Sequence, residues 1–586
     1  MTNQDVAEKL REVFNLMQLA GENRFRAIAF DRAAQTIEGL NEDILTHIDN
    51  DTLTDIKGIG KSIAEDIKAF HKTGTMPVLE SLKEKVPAGL IEWLNISGLG
   101  PKNIAKIHQE LGITEIKELK EACQSGAVAQ LPGLGQKSAE KILKSIEYLE
   151  TFGERARLDQ ALENAEPIFE FVKTLNGVQK CEIAGSLRRF RETIGDIDII
   201  AAAEEQHRDN IFNAFTSHEL VVEILGRGDT KSSVRTGNGR QVDLRIVKPA
   251  EYPAALMYFT GSKEHNIVMR QRARERGMAL NEYGLFMLKE KETDFDQPVE
   301  TSSEEEIYQK LGLNFVLPEH REDRGEFEFY AENKTMELVS TSDIRGVIHA
   351  HSTWSDGKYS IRQMAEACIE RGYEYLGISD HSRTAAYAGG LTIDDVKQQW
   401  DEIDDLNERI KSSGKDFRIL KGTESDILGD GSLDYPDVIL EGFDFVIASV
   451  HSGLEMPREK MMERFRRAIE NPYTTMIGHP AGRLLLRRDG SNIDLNQIIA
   501  WAAERGVAIE VNASPWRLDL DWRYGNIAKE TGLLTSINPD AHSIEGIDDI
   551  RYGVMVARKA MFEPARVLNT KSVIEFGKWL KVRREV

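Results

Sequence analysis

The sequence predicts a multidomain chain that changes architecture twice, from an all-α N-terminal part to an α/β unit and then to a parallel α/β barrel. Three observations predict it. The first 150 residues read as short amphipathic helices that carry one Gly-x-Gly pattern three times. From about Leu158 a helix, ALENAEPIFEFVKTL, is followed by the apolar strands CEIAGS, IDIIAAA and QVDLRIV. Beyond residue 340 seven apolar strands alternate with helical segments such as SIRQMAEACIERG. At 586 residues the chain is also too long for one core, since domains run to roughly 150 residues each.

Composition narrows the function classes. With 41% hydrophobic and 29% charged residues, 46 Gly and 16 Pro, the whole chain is expected to fold. A formal net charge of −22 excludes a broad basic coat, so contact with nucleic acid must be local. Cys123, Cys181 and Cys368 are scattered, which excludes a disulfide framework or a Cys-based zinc site and leaves His and carboxylates to hold any metal. The start, MTNQDVAEKL, is polar, and no apolar run approaches the roughly 20 residues of a membrane span. A cytoplasmic location without membrane association is the expectation.

The three repeats are GIGKSIAEDI from Gly58, GLGPKNIAKI from Gly98 and GLGQKSAEKI from Gly133. In each, a Gly-x-Gly turn opens a helix whose unsatisfied N–H groups point outward, which makes an anion site. One copy alone reads equally well as a Gly-capped turn. Three resemble the helix-hairpin-helix motif, in which backbone amides, here at Gly58, Gly60, Gly98, Gly100, Gly133 and Gly135, grip DNA phosphates without base readout.

In the α/β unit, GSLRRFRETIGDID runs from Gly185 to Asp198. Gly185-Ser186 offers amide and hydroxyl donors, and Arg188-Arg189 offers guanidinium groups for phosphates. Asp196 and Asp198 alternate along a strand and point to one face, and Asp243 in QVDLRIV can add a third carboxylate for hard divalent cations. Phosphoryl transfer by two metals needs that set. A lone Asp-x-Asp is two exposed acids at a strand end. With the Gly-Ser turn before it and the carboxylate strand after it, the segment resembles the nucleotidyltransferase superfamily. GRGDTKSS from Gly226 lacks P-loop spacing, and Lys231 within it is read as a DNA-backbone contact.

The stretch from Gln241 to Phe286, with YFTGS at its centre, closely resembles DNA polymerase beta and the other family X DNA polymerases. That resemblance implies a palm and thumb, two Mg2+ (or Mn2+) ions on Asp196, Asp198 and Asp243, and a triphosphate contacted by Ser186, Arg189 and Gly195. It also implies that Tyr258, Phe259 and Gly261 flank the sugar, that Lys263 lies near the incoming base, and that Asn266 and Arg270 face the minor groove. Its expected partners are dNTP and gapped or primer-template DNA, bound by a monomer. NRFRAIAFDRAA from Asn23 is similar to the lyase domain of that family, but Asp66 stands where the family's Schiff-base lysine belongs. A carboxylate cannot form the imine, so lyase chemistry is not expected.

Beyond residue 340 six of the seven strands end in a metal-binding type: His349 and His351, His381, Glu424, His451, His479, then Asp540 and His542; the seventh, GVAIEVNAS, ends near Asn512. Polar groups gathered at strand C-termini describe a TIM-like barrel. One such His is ordinarily a core residue; six in equivalent places are not so explained. With Asp356, the set resembles the nine-ligand signature of the PHP (polymerase and histidinol phosphatase) superfamily, a distorted (β/α)7 barrel that hydrolyses phosphoesters. The resemblance implies up to three divalent ions (Zn2+, Mn2+ or Fe2+): one on His349, His351, Glu424 and Asp540, one on Asp356, His381 and His542, and one on Glu424, His451 and His479.

The expected organisation is a lyase-like helical domain at 1–90, a helix-hairpin-helix domain at 91–150, a palm at 151–260, a thumb at 261–322, a linker at 323–340 and a PHP domain at 341–586. The expected function is template-directed gap filling in base excision repair, with a 3′–5′ exonuclease and abasic-site incision in the barrel. The alternatives are a polymerase with a silent structural barrel and a nucleotidyltransferase acting on RNA or small molecules.

Overall fold

The computed structural model describes residues 3–38, 44–83, 85–87, 89–96, 99–152, 155–288, 295–332 and 337–585. The N-terminal part is helical. Helices Lys61–Thr73 and Pro101–Leu111 are capped by Gly60 and Gly100 in extended conformation, and a third helix, Gln136–Phe152, starts one residue after Gly135. Gly58 and Gly133 adopt positive φ (96° and 82°), which lets the chain reverse into the helix. Between each pair of glycines an apolar residue, Ile59, Leu99 or Leu134, is buried as an anchor, while Gly60, Gly100 and Gly135 face outward with open space around them. The backbone amides at each helix start are therefore presented to solvent. Gly98 lies outside the described residues.

The palm is a five-stranded sheet in the order Lys180–Ile183, Ile197–Ala202, Gln241–Val247, Lys231–Thr236, Val221–Arg227. Its central pair is parallel and sets Asp198 directly beside Asp243. The thumb packs helices Tyr252–Thr260, Lys263–Glu275 and Glu304–Lys310 with a three-stranded antiparallel sheet. Of the expected linker, residues 326–332 pack on the thumb. Helix Glu326–Glu332 puts Phe327 and Tyr330 into the thumb core, and Glu326 is buried against His265 (2.7 Å). His265 also meets the Tyr308 hydroxyl at 2.6 Å and stacks on Phe327, so it is a satisfied core histidine.

The C-terminal part is a parallel sheet of seven strands in sequential order, starting at Gly346–Ala350 and ending at Thr535–Asn538. It closes on itself: His351 N donates to Ala541 O (2.9 Å) and Ala541 N to His349 O (3.2 Å). The strands are buried on both faces, as expected of apolar runs sheathed by helices. No helix among the described residues is long and apolar enough to cross a membrane.

Candidate metal centres

In the palm, one oxygen each of Asp196, Asp198 and Asp243 lies within 4.8 Å of the others. Asp196 is exposed, Asp198 half-buried and Asp243 buried. Burial, then repulsion from Asp196 and Asp243, pushes the Asp198 carboxyl up to about 7. Gly185 has φ 64°, and a Cβ there would lie 2.5 Å from Asp198 Oδ2, so the Gly-Ser turn sits directly on the Asp198 carboxylate. Ser186 follows it in the short helix Gly185–Arg188, while Gly195 immediately precedes Asp196.

The two adjacent arginines do different work. Arg188 is committed to the thumb, donating to Glu304 (2.7 and 3.1 Å) and to Thr260 Oγ1 (2.7 Å). Arg189 donates to Glu322 Oε1 at 3.1 Å and to Thr260 O, and lies beneath Gly261, where a Cβ would come within 3.0 Å of its Nη1. Asn266 donates to Tyr258 O at 2.7 Å, tying the next helix to the YFTGS segment. Tyr258 and Phe259 pack edge to face, and Arg245 stacks on Phe259 at 4.2 Å. Lys263 and Arg270 are exposed on that helix, Lys263 with Asp31 at 3.9 Å. Lys231, read from the sequence as a DNA-backbone contact, reaches across the sheet to Asp243 (Nζ–Oδ2 2.5 Å), because it lies diagonal to Asp243 on the neighbouring antiparallel strand.

The barrel brings all nine sequence-predicted ligand residues together at the C-terminal ends of its strands. Glu424 is the hub: its Oε1 lies 2.9 Å from His479 Nε2, 3.2 Å from His451 Nε2 and 3.4 Å from His349 Nε2, and its Oε2 3.0 Å from His381 Nδ1. Asp540 Oδ1 reaches His351 Nε2 at 3.1 Å and His349 Nε2 at 3.4 Å. Asp356 Oδ1 faces His542 (3.3 Å), His381 (3.7 Å) and His351 (3.8 Å). Three subsets are compact enough to hold one ion each: His351, Asp356, His381 and His542; His349, His351 and Asp540; and His381, Glu424 and His451. They differ in detail from the grouping that the PHP resemblance implies: His351 is shared between two of them, and His381 stands with Glu424 and His451.

A divalent cation fits this ring. His349 Nε2, His351 Nδ1, His381 Nδ1 and His479 Nδ1 are buried without a hydrogen-bond partner, which is costly for a polar nitrogen unless something else meets it. Charge is also concentrated there. Burial opposes the imidazolium of His451, but Glu424 and Asp426 raise it to about 10, whereas burial and the neighbouring His542 and His381 drive His351 down to about 3.

Three acidic residues around the ring were not singled out from the sequence. Glu510, fully buried, accepts from His349 Nδ1 at 2.5 Å, and Asp426 faces His451 Nδ1 at 2.5 Å. Asp380 accepts from Ser352 (N 2.7 Å, Oγ 2.6 Å), Ser355 (2.5 Å) and Gln399 (2.7 Å), anchoring the loop that carries Asp356. The available signal was an acid inside an apolar strand, as in GVAIEVNAS, which has no reason to be buried except a partner.

Known proteins align with these parts. A helix-hairpin-helix domain matches residues 1–76, a SAM-like helix-hairpin-helix tandem 91–147, a DNA polymerase beta thumb 255–322 and a PHP domain 348–514. A probable phosphatase of Thermoanaerobacter sp. (strain X514) is 28% identical over 247 residues, 40% of this chain and 94% of that one. DNA polymerase lambda of Rattus norvegicus is 24% identical over 341 residues, 55% of this chain and 56% of that one. The DNA polymerase/3′-5′ exonuclease PolX of Bacillus subtilis (strain 168) is 41% identical over 584 residues, 99% of this chain and the whole of that one. With palm, thumb and barrel all present in one chain, this protein belongs to the family X DNA polymerases that carry a C-terminal PHP domain.

Proposed function

We propose that the palm extends a DNA primer by template-directed addition of deoxynucleotides, and that the barrel hydrolyses nucleotides from the 3′ end and incises abasic sites. Together these serve gap filling and end cleaning in base excision repair. The observation that carries this reading is the presence of two separate metal-competent clusters, one on paired palm strands and one at the barrel mouth. In it the chain is a cytoplasmic monomer whose partners are dNTP and gapped or primer-template DNA, with the thumb beginning at helix Tyr252–Thr260 and taking in helix Glu326–Glu332.

Divalent cations, Mg2+ or Mn2+ in the palm and Zn2+, Mn2+ or Fe2+ in the barrel, supply Lewis acidity at the two centres. The protein's own groups do the rest. Asp196, Asp198 and Asp243 collect negative charge at one point, and Asp198 gives up its proton near neutral pH. Ser186, Arg189 and Gly195 receive the triphosphate, while Tyr258, Phe259 and Gly261 flank its sugar, and Lys263, Asn266 and Arg270 face the nascent pair and the minor groove. Outward amides at the Gly-x-Gly turns hold the DNA backbone. In the barrel, Glu510 and Asp426 hold the proton on Nδ1 of His349 and His451, which would leave each Nε2 to meet a cation bound at the centre.

Reciprocal variants of the full chain test this. Asp198→Ala is expected to bring primer extension to background with 3′ degradation retained, and His349→Ala with His351→Ala to do the reverse. Extension by the first at the native rate sinks the palm assignment; degradation by the second in saturating metal sinks the barrel assignment.

A further inference from the structure

Outside the two centres, a cluster of buried charge lies where the barrel meets the palm and thumb. Helix Ile550–Lys559 of the barrel ends on Lys559, whose side chain is fully buried. Its Nζ donates to Arg189 O (2.9 Å), Glu319 O (2.9 Å) and Glu322 Oε1 (2.7 Å), which uses all three ammonium protons. The ring of Trp522 covers it at 4.2 Å. Burial lowers this ammonium to about 8, which leaves it protonated at neutral pH.

Glu322 joins this lysine to the palm. The same carboxylate takes Arg189 Nε at 3.1 Å and Arg191 Nη1 at 3.3 Å. Arg189 is thus fixed at two points: its guanidinium between Glu322 and Thr260 O, and its own carbonyl by a residue 370 positions away. Next to it, Glu192 receives Trp522 Nε1 (3.1 Å) and Arg523 Nη1 (2.8 Å), and Arg157 stacks on Trp516 at 3.5 Å. Buried, fully satisfied ion pairs contribute little to net stability, but removing one partner leaves the other uncompensated, so such a contact fixes geometry strongly. Positioning matters here because misplacement by about 1 Å can cost on the order of 100-fold in a phosphoryl-transfer site.

We propose that Lys559 of the PHP domain is a positioning residue for the polymerase's triphosphate subsite, holding the Arg189 main chain and Glu322 so that the barrel sets how tightly the palm binds incoming nucleotide. This rests on the reading of Arg189 as a triphosphate contact. The barrel is then part of the polymerase active site's foundation as well as a nuclease, and nucleotide affinity depends on the docking of the two domains.

The test uses full-length Lys559→Met, Lys559→Gln and Arg189→Gln in steady-state primer extension, with 3′ degradation by the same preparations as the check that the barrel is folded. Lys559→Met is expected to raise KM for dNTP about tenfold with kcat within about threefold of native, and Lys559→Gln, which retains two donors, to raise it less. A merely structural loss would lower kcat through the active fraction and leave KM in place. If Arg189→Gln raises KM while both Lys559 variants keep the native value, the inference is overturned. If Arg189→Gln also leaves KM unchanged, the triphosphate reading itself has failed and the inference falls with it. Should Lys559→Met be insoluble, Lys559→Gln decides: a raised KM supports the coupling, and a native KM or a fall confined to kcat overturns it.

Discussion

Replacing Glu510 by Gln tests whether the barrel's nuclease depends on a residue that touches no substrate. The Glu510 carboxylate has no exposed surface and accepts four hydrogen bonds: from His349 Nδ1 (2.5 Å) and Asn538 Nδ2 (2.9 Å) on one oxygen, and from His479 N (2.9 Å) and Asn512 Nδ2 (3.1 Å) on the other. Gln keeps the shape but has one acceptor and an NH2 group, so two of those four donors must face a donor. Leaving one buried donor unsatisfied costs ~1–3 kcal/mol. Loss of such a carboxylate behind a ligating imidazole lowers metal affinity ~10–100-fold. The apparent metal constant for 3′ degradation is therefore expected to rise ~10–100-fold in Glu510→Gln. Saturating metal should restore most of the rate, and primer extension should stay unchanged. The assay is degradation titrated with Mn2+, with elemental analysis of the dialysed protein beside it. An unaltered titration curve with full metal content would refute the role given to Glu510.

Two further predictions follow from the palm and the N-terminal domain. Because Asp198 is raised to about 7 by burial and by Asp196 and Asp243, protons compete with the cation there: at limiting metal, extension should fall as pH drops through 7, and added metal should move the midpoint lower. A midpoint indifferent to metal concentration contradicts this. For the lyase step, Asp66 is buried with Val78 N at 3.4 Å, Lys68 is paired with Asp51 and Lys61 is exposed at the helix start, so no borohydride-trapped adduct with incised abasic DNA is expected in chelator. Efficient trapping by the full chain that is lost on Lys61→Ala or Lys68→Ala would show a relocated lysine.

The parts legible in the sequence are those where chemistry is tied to a local repeat. His349 and His351 alternate at a strand end, five further strands end in the same residue types, and in a parallel barrel those ends converge by topology alone. Asp198 and Asp243 were legible as strand acids, but their adjacency depends on a parallel register that no local pattern encodes. What sequence missed is long-range. Glu510 serves a histidine 161 residues away, Lys559 holds a carbonyl 370 residues away, and Trp522 donates across 330 residues. Lys559 and Trp522 read locally as ordinary helix and turn residues, and Glu510, an acid out of place in an apolar strand, does not name its partner. The end of the thumb and the expected linker were opaque for a related reason: Glu319, Glu322 and Glu326 pair with Arg558, Lys559 and His265, partners that no local pattern names.

The backbone of the barrel bears on the rival reading of a silent scaffold. His349, His479 and Asp540 have φ of 64°, 23° and 52°, a region that residues with a Cβ rarely enter and that costs on the order of 1–3 kcal/mol apiece. A barrel kept only for its shape could relax each of these with Gly or Asn at the strand end. It would also have no need of four buried imidazole nitrogens without hydrogen bonds, nor of Asp426 and Glu510 buried behind two of the rings. Strain, orphaned nitrogens and buried charge all fall on the same few residues, and a ring of bound cations offsets all three at once. That coincidence favours a barrel that works as a phosphoesterase, because each cost taken separately would be removed by a single substitution that leaves the fold intact.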